Sequence, residues 1–212
     1  MSKPTKTEQK KSIRTAYLSK RNAMDAEKRR EASEKIAEKV FADKHFKEAQ
    51  TVFVYASYKS EAETFLIIQK AFQSGKRVAA PKVQGEEMFF YEIKSVEDFL
   101  PGYQGILEPS NEGKEPIVPT DSDVMLVPGA VFDCQGGRIG YGKGYYDRYW
   151  HRIVSAYGTQ PYLIGLAFDC QIFLEMLPLE EHDKKIDCIL TEDRVIMPKV
   201  EKMAGRIVMP MG

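Results

Sequence analysis

The feature that most constrains the fold of this chain begins after residue 50. Short apolar runs alternate with stretches long enough to hold a helix. Thr51–Ala56 (TVFVYA), Arg77–Ala80, Met88–Ile93, Asp123–Val127, Tyr162–Phe168, Ile186–Thr191 and Arg194–Met197 are the predicted strands, picked out by β-branched and aromatic content between turn-forming residues. Continuous apolar runs mark strands buried on both faces, and helix-length crossovers join parallel neighbours. An α/β fold with a mainly parallel sheet covered on both sides is therefore expected. Ser60–Ser74 predicts a crossover helix, with Ser60 and Glu63 at capping-box spacing and Gly75 at C′. A helical prefix comes first: Thr7–Asn22 carries Ile13, Tyr17 and Leu18 on one face, and Asp25–Asp43 carries Ala32, Ile36, Val40 and Phe41 at helical spacing. Residues 1–7 read as a disordered lead-in, Pro101–Thr120 as loop, and Lys199–Gly212 as a tail or strap.

Composition excludes several functions. Lys and Arg number 31 against 31 Asp and Glu, with no basic excess for neutralising nucleic-acid phosphates. Apolar residues make up 43%, enough for a core. The most apolar stretch, Val124–Phe132, is broken by Pro128 and Gly129, far short of the ~18–20 residues of a membrane span. The polar N-terminus lacks a secretory h-region. Cys134, Cys170 and Cys188 are an odd number without C-x-x-C spacing, which suggests neither a disulfide frame nor a zinc knuckle. A soluble cytoplasmic protein with no nucleic-acid or membrane partner is expected.

One segment carries chemistry. Arg138-Ile139-Gly140-Tyr141-Gly142-Lys143-Gly144-Tyr145-Tyr146-Asp147 places three alternate glycines, two cations and a carboxylate at the start of a helix predicted over Tyr145–Tyr157. Glycines let backbone N–H groups converge on an anion, and the helix N-terminus adds free donors and its positive dipole end. Arg138 and Lys143 supply charge for a polyphosphate. A plain strand-to-helix connection is the simpler alternative, but three glycines between two cations favour a phosphate cradle. The G-x-G-x-G spacing is not the dinucleotide G-x-G-x-x-G, and Lys143-Gly144 is not the G-K-[ST] of a Walker A loop. Lys10 and Arg14, four apart, share a helix face. Glu61 falls in the first turn of the predicted helix, where a carboxylate suits the dipole. Asp147 beside the cradle suits Mg²⁺, and Asp187 interrupts an apolar strand between Ile186 and Cys188. Phe89, Phe90, Tyr91, Tyr103 and Trp150 are stacking or core aromatics, and His182 precedes Asp183, which can orient an imidazole.

The run from Val127-Pro128-Gly129 through Phe132-Asp133, Gly136-Gly137-Arg138 and Gly140-x-Gly142-Lys143-Gly144-Tyr145-Tyr146-Asp147 resembles the signature of the 5-formyltetrahydrofolate cyclo-ligase family. The resemblance extends from Lys10 to about Ile196 and includes Glu61-x-x-Thr64, Gly105-Ile106-x-Glu108-Pro109 and His182-Asp183-x-x-Ile186-Asp187. It implies a single three-layer α/β/α domain over 1–212, related to sugar-phosphate isomerases and CoA transferases. It also implies ATP- and Mg²⁺-dependent closure of 5-formyltetrahydrofolate to 5,10-methenyltetrahydrofolate by a monomer or weak homodimer. By the same resemblance Lys10, Arg14 and Arg138, Ile139, Gly140, Tyr141, Gly142, Lys143, Gly144, Tyr145 and Tyr146 hold ATP. Glu61, Ala56 and Tyr146 line the folate site, Asp147 and Asp187 hold the metal, and Arg138, Lys143 and Tyr146 serve catalysis. The rivals are a sugar-phosphate isomerase or kinase, or a non-catalytic folate- or nucleotide-binding protein.

Overall fold

The computed structural model describes residues 4–180 and 183–198, so His182 and Lys199–Gly212 lie outside the described residues. The helices are α1 (Lys6–Asn22), α2 (Ala26–Ala42), α3 (Lys44–Glu48), α4 (Phe65–Gln73) and α5 (Tyr145–Tyr157). The strands are β1 (Thr51–Phe53), β2 (Arg77–Gln84), β3 (Glu87–Ile93), β4 (Phe99–Pro101), β5 (Leu107–Pro109) and β6 (Val124–Val127), then β7 (Val131–Asp133), β8 (Arg138–Ile139), β9 (Tyr162–Leu166), β10 (Ile172–Phe173), β11 (Cys188–Leu190) and β12 (Val195–Ile196).

Seven strands form the main sheet in the order β12-β11-β9-β6-β1-β2-β3. The inner five are parallel, and β12 and β3 close the edges antiparallel. Alternate residues serve opposite faces, as the pleat requires. Val52, Leu126 and Ile164 pack with Ile36 and Val40 of α2 and Ile67 and Ile68 of α4. Their neighbours Phe53, Met125 and Leu163 pack with Tyr149, Trp150 and Ile153 of α5. Each such side chain removed from water contributes about 1.5–3 kcal/mol. The result is the expected three layers, helix on sheet on helix. α4 crosses from β1 to β2 over one face, whereas α5 lies between β6 and β9 on the other. The chain thus leaves β1 and its neighbour β6 in opposite directions, and their carboxyl ends flank a topological switch point.

Several local expectations are corrected. α1 starts at Lys6, inside the stretch read as disordered, because Thr5 and Glu8 form a complete capping box. α4 starts at Phe65 without a side-chain cap. Ser60 does not cap it: its hydroxyl accepts from Arg21 Nε at 3.1 Å and donates to Asn22 at 2.6 Å, while Ser33 accepts the Glu63 N–H. Gly75 does hold the C′ position, at φ +70°. β2 runs through Pro81 because its ladder to β1 ends at Ala79, so the missing N–H costs no bond on that side. The stretch read as loop holds β5, paired antiparallel with β4. A second sheet, β10-β7-β8, flanks the switch point, and Ile13, Tyr17 and Leu18 of α1 pack on its Val131 and Ile139. Among the described residues, no helix is long and apolar enough to cross a membrane.

Candidate active site

The chain segments that meet at the switch point carry most of the chemistry. After β1, residues 54–64 deliver Glu61; after β6, Pro128 and Gly129 offer carbonyls; and residues 140–144 arch over both from β8 to α5. Gly129 anchors the arrangement. Its carbonyl accepts from Gln171 Nε2 at 2.8 Å, from Tyr141 Oη at 3.4 Å and from Arg21 Nη1 at 3.5 Å. A Cβ at this position would stand 2.5 Å from the Phe132 ring, so only glycine fits.

Arg138 is set into the floor, its side chain only 3% exposed. Nη1 donates to the Pro128 carbonyl at 3.2 Å and Nη2 to Asp147 at 3.0 Å. The guanidinium lies 5.0 Å from the Trp150 ring and 5.6 Å from the Tyr146 ring. Among the described residues Nε has no partner, and neither have the buried Tyr146 hydroxyl and Trp150 Nε1. Three buried donors without acceptors are costly unless a ligand takes them up.

Above Arg138 the glycines are required sterically. A Cβ on Gly140 would come within 2.8 Å of Arg138 Nη1, and Gly142 and Gly144 have φ of +97° and +68°. Arg14 Nε holds the Gly140 carbonyl at 2.7 Å. Arg148 holds the Lys143 carbonyl at 2.8 Å and the Glu86 carbonyl at 2.7 Å, which ties the loop to the β2–β3 turn. Gly144 is the N-cap of α5 and makes no side-chain cap, so the first N–H groups of a 13-residue helix stay available to an anion. Lys143 is exposed beside them.

Glu61 is not in a helical first turn; it lies in the β1–α4 connection, four residues before α4 begins. Its Oε2 accepts the Tyr58 N–H at 2.9 Å. Burial pushes its carboxyl above the usual glutamate value, against the opposing pull of the Tyr141 hydroxyl, the Tyr58 N–H and Arg21. Burial, reinforced by the nearby Glu61 charge, also raises the Tyr55 and Tyr146 phenols. Ala56 is buried in the core beneath the crevice. Arg21 and the Tyr141 side chain were missed as contributors to the Glu61 environment. The available signal was that Arg21 follows Arg14 by seven residues, two helical turns along one face.

The remaining residues stand apart. Lys10, one turn before Arg14 on α1, forms ion pairs with Glu180 and Asp183. Its partial burial works to lower the ammonium, but these two carboxylates outweigh it and the lysine titrates above its usual value. Asp187 immediately precedes β11, where its Oδ2 accepts the Leu163 N–H at 2.9 Å. Leu163 is level with Met125, so Asp187 sits toward the amino ends of the strands, two strands across from the Pro128 end where Arg138 binds Asp147. Burial raises its carboxyl against the pull of the Leu163 N–H, Lys184 and His45. The two aspartates read as metal ligands are thus separated. Among the described residues no group of three or more His, Cys, Asp or Glu side chains could hold a metal. A single carboxylate with one oxygen on Arg138 fits Mg²⁺ held mainly by water and phosphate oxygens, and not an all-protein cage.

Comparison with known proteins bears on what such a site serves. The sequence model of the 5-formyltetrahydrofolate cyclo-ligase family matches residues 6–192. The 5-formyltetrahydrofolate cyclo-ligase of Mus musculus is 32% identical over 191 residues, covering 87% of this chain and 94% of its own. That of Escherichia coli strain K12 is 29% identical, covering 83% and 96%. The NMR structure of Aquifex aeolicus 5,10-methenyltetrahydrofolate synthetase superposes with a TM-score of 0.78 at 29% identity, covering 94% of this chain and 97% of that one. The matched span runs from the first residue of α1 past β11 and takes in Arg14, Glu61 and the whole glycine loop, and on that ground the chain belongs to the 5-formyltetrahydrofolate cyclo-ligase family of enzymes.

Proposed function

We propose that this chain, as a single catalytic domain of the cytoplasm, converts 5-formyltetrahydrofolate and ATP to 5,10-methenyltetrahydrofolate, ADP and phosphate, with Mg²⁺. The observation that carries the reading is a glycine loop and open helix N-terminus across the β1/β6 switch point from a half-buried carboxylate, Glu61. An amide-like formyl oxygen is a poor leaving group, which accounts for the nucleotide. In the proposed path the γ-phosphoryl group passes to the N5-formyl oxygen, N10 attacks the activated carbon and gives up its proton to water, and phosphate departs as the ring closes.

The chain's own residues divide the work. The α5 N-terminus and the N–H groups of residues 140–144 cradle the phosphates, and Arg14 fixes the loop at Gly140. Arg138 and Lys143 offset charge on the transferring group, since positioning and electrostatics dominate such reactions. Lys10 joins them on exchanging its carboxylate partners for phosphate. Tyr146 and Ala56 bound the folate side, and Glu61 accepts hydrogen bonds from the amino and imino groups of the pterin. When bound, Mg²⁺ would neutralise phosphate charge; Asp147 would hold it together with water and phosphate oxygens, and Asp187 would contribute only if β11 and α5 approached. Kinship with sugar-phosphate isomerases and CoA transferases belongs to the same proposal, as does a monomeric or weakly dimeric state. The rival readings, an isomerase or sugar kinase and a non-catalytic binder, are not favoured by the family membership.

The test is methenyl-folate absorbance, followed with 5-formyltetrahydrofolate, ATP and Mg²⁺ together and with each omitted in turn. The expected result is a rise only in the complete mixture, with one ADP per product, and its loss with EDTA. Product formation without ATP, or ADP release without product, contradicts the proposal.

A further inference from the structure

Arg21 is 5% exposed, lies at the end of α1 and meets the glycine loop at a side chain. It donates Nε to Ser60 Oγ at 3.1 Å and Nη1 to the Tyr141 hydroxyl at 2.8 Å. Ser60, the residue before Glu61, in turn donates to Asn22 at 2.6 Å. Two successive residues of α1 therefore grip the loop that carries Glu61. Because Arg21 occupies the phenol oxygen of Tyr141 as acceptor, the single hydroxyl hydrogen is left to donate. Two acceptors face it, the Gly129 carbonyl at 3.4 Å and the Glu61 carboxylate. Gly129 is the acceptor at hydrogen-bond distance; the charged Glu61 would bind the hydrogen more strongly once the loop brings it closer, and a phenol that already accepts from a guanidinium is a better donor.

Tyr141 also belongs to the glycine loop. It stands between Gly140, whose carbonyl Arg14 holds, and Gly142, whose φ of +97° lets the backbone turn beside it. Its residue is 43% exposed although the hydroxyl end reaches inward. The same short segment thus faces the proposed nucleotide with its backbone and Glu61 with its side chain. The other groups facing Glu61 are Tyr55 and the Tyr58 N–H from its own loop and Tyr146 from α5.

Resting on the cyclo-ligase reading, we propose that Arg21 and Tyr141 are positioning residues that couple the two substrates: ordering of the glycine loop by nucleotide sets the Tyr141 hydroxyl against Glu61 and completes the folate site. Neither residue touches the reacting atoms. The coupling is reciprocal, so folate tightens nucleotide binding by the same factor.

The test uses the full chain, calorimetric titration with 5-formyltetrahydrofolate with and without a non-hydrolysable ATP analogue, and the Tyr141→Phe variant, which keeps the ring. In the unaltered chain the analogue tightens folate roughly five-fold or more. In Tyr141→Phe that factor falls to about one and folate affinity in the presence of the analogue drops roughly ten-fold, the scale of a lost hydrogen bond to a charged group. A double-mutant cycle with Glu61→Gln checks the route: once Glu61 is gone, Tyr141→Phe has no further effect on folate affinity. Arg21→Met, if its melting shows it folded, repeats the Tyr141→Phe result; if it does not fold, Tyr141→Phe decides. An active unaltered chain whose Tyr141→Phe variant keeps both affinity and enhancement overturns the inference. An unaltered chain that forms no methenyl-folate overturns the functional reading, and this inference with it.

Discussion

At the scale of single residues, the half-buried Glu61 carboxylate carries a stability cost set by its desolvation. Its folded pKa lies above the ordinary 4.5, so between 4.5 and the folded value the native chain holds a proton that the unfolded chain has released. Stability therefore falls as pH rises through that window and stays lower above it. Glu61→Gln mimics the protonated acid and removes the penalty. Calorimetric melting of the ligand-free protein should show Glu61→Gln melting higher than the unaltered chain at pH 7, with the difference vanishing below the ordinary value of 4.5. Equal melting temperatures at pH 7 would contradict burial as the cause. The same variant should lose folate affinity, so stability and binding move in opposite directions. A second residue-scale prediction concerns Gly144, at φ +68°. Gly144→Ala forces a Cβ into the left-handed region at the N-cap of α5 and should cost about 1 kcal/mol or more in denaturant unfolding. It should raise the KM for ATP more than that for folate.

At the scale of elements, the two sheets are joined where Phe132 of β7 lies over two glycines. A Cβ on Gly165 of β9 would stand 2.7 Å from the Phe132 ring, as one on Gly129 would from the other side at 2.5 Å. Gly165→Ala should therefore destabilise by about 1–3 kcal/mol through overpacking, read as a lower denaturant midpoint with unchanged slope. Tolerance of alanine there would show that the small sheet is free to shift.

The element scale is also where the sequence was legible and where it was not. Helices α1 and α2 are legible in apolar residues at helical spacing, α5 in the aromatic stretch that follows the glycine loop, and the inner strands in runs such as TVFVYA and DVMLV that two buried faces demand. β7, β8 and β10 are two or three residues long and are held together by tertiary pairing, which no local pattern encodes. Ser60 and Glu63 have capping-box spacing, but Arg21, 39 residues away, claims the hydroxyl. In the site, the glycine loop, Arg138 and Asp147 were readable because their chemistry is contiguous in sequence. Arg21 was not, because its meaning comes from Tyr141, 120 residues on. Asp187 was read beside Asp147 by resemblance, and the register of β9 with β6 separates them.

At the scale of the whole molecule, 31 cationic and 31 acidic side chains sum to zero, but the arginines are not evenly spread. Arg14, Arg21 and Arg138 gather at the switch point on α1 and β8, with Lys143 at the rim, whereas Asp187 with Lys184 and His45 lies toward the amino ends of the strands. A neutral chain thus gathers cations beside Glu61, where the proposed nucleotide would lie. In the proposed reaction the formyl oxygen leaves as part of phosphate. The direct measurement is mass spectrometry of phosphate released when 5-formyltetrahydrofolate carrying ¹⁸O in the formyl group is turned over with unlabelled ATP. One ¹⁸O per phosphate is the predicted result; label appearing in water with unlabelled phosphate would contradict it.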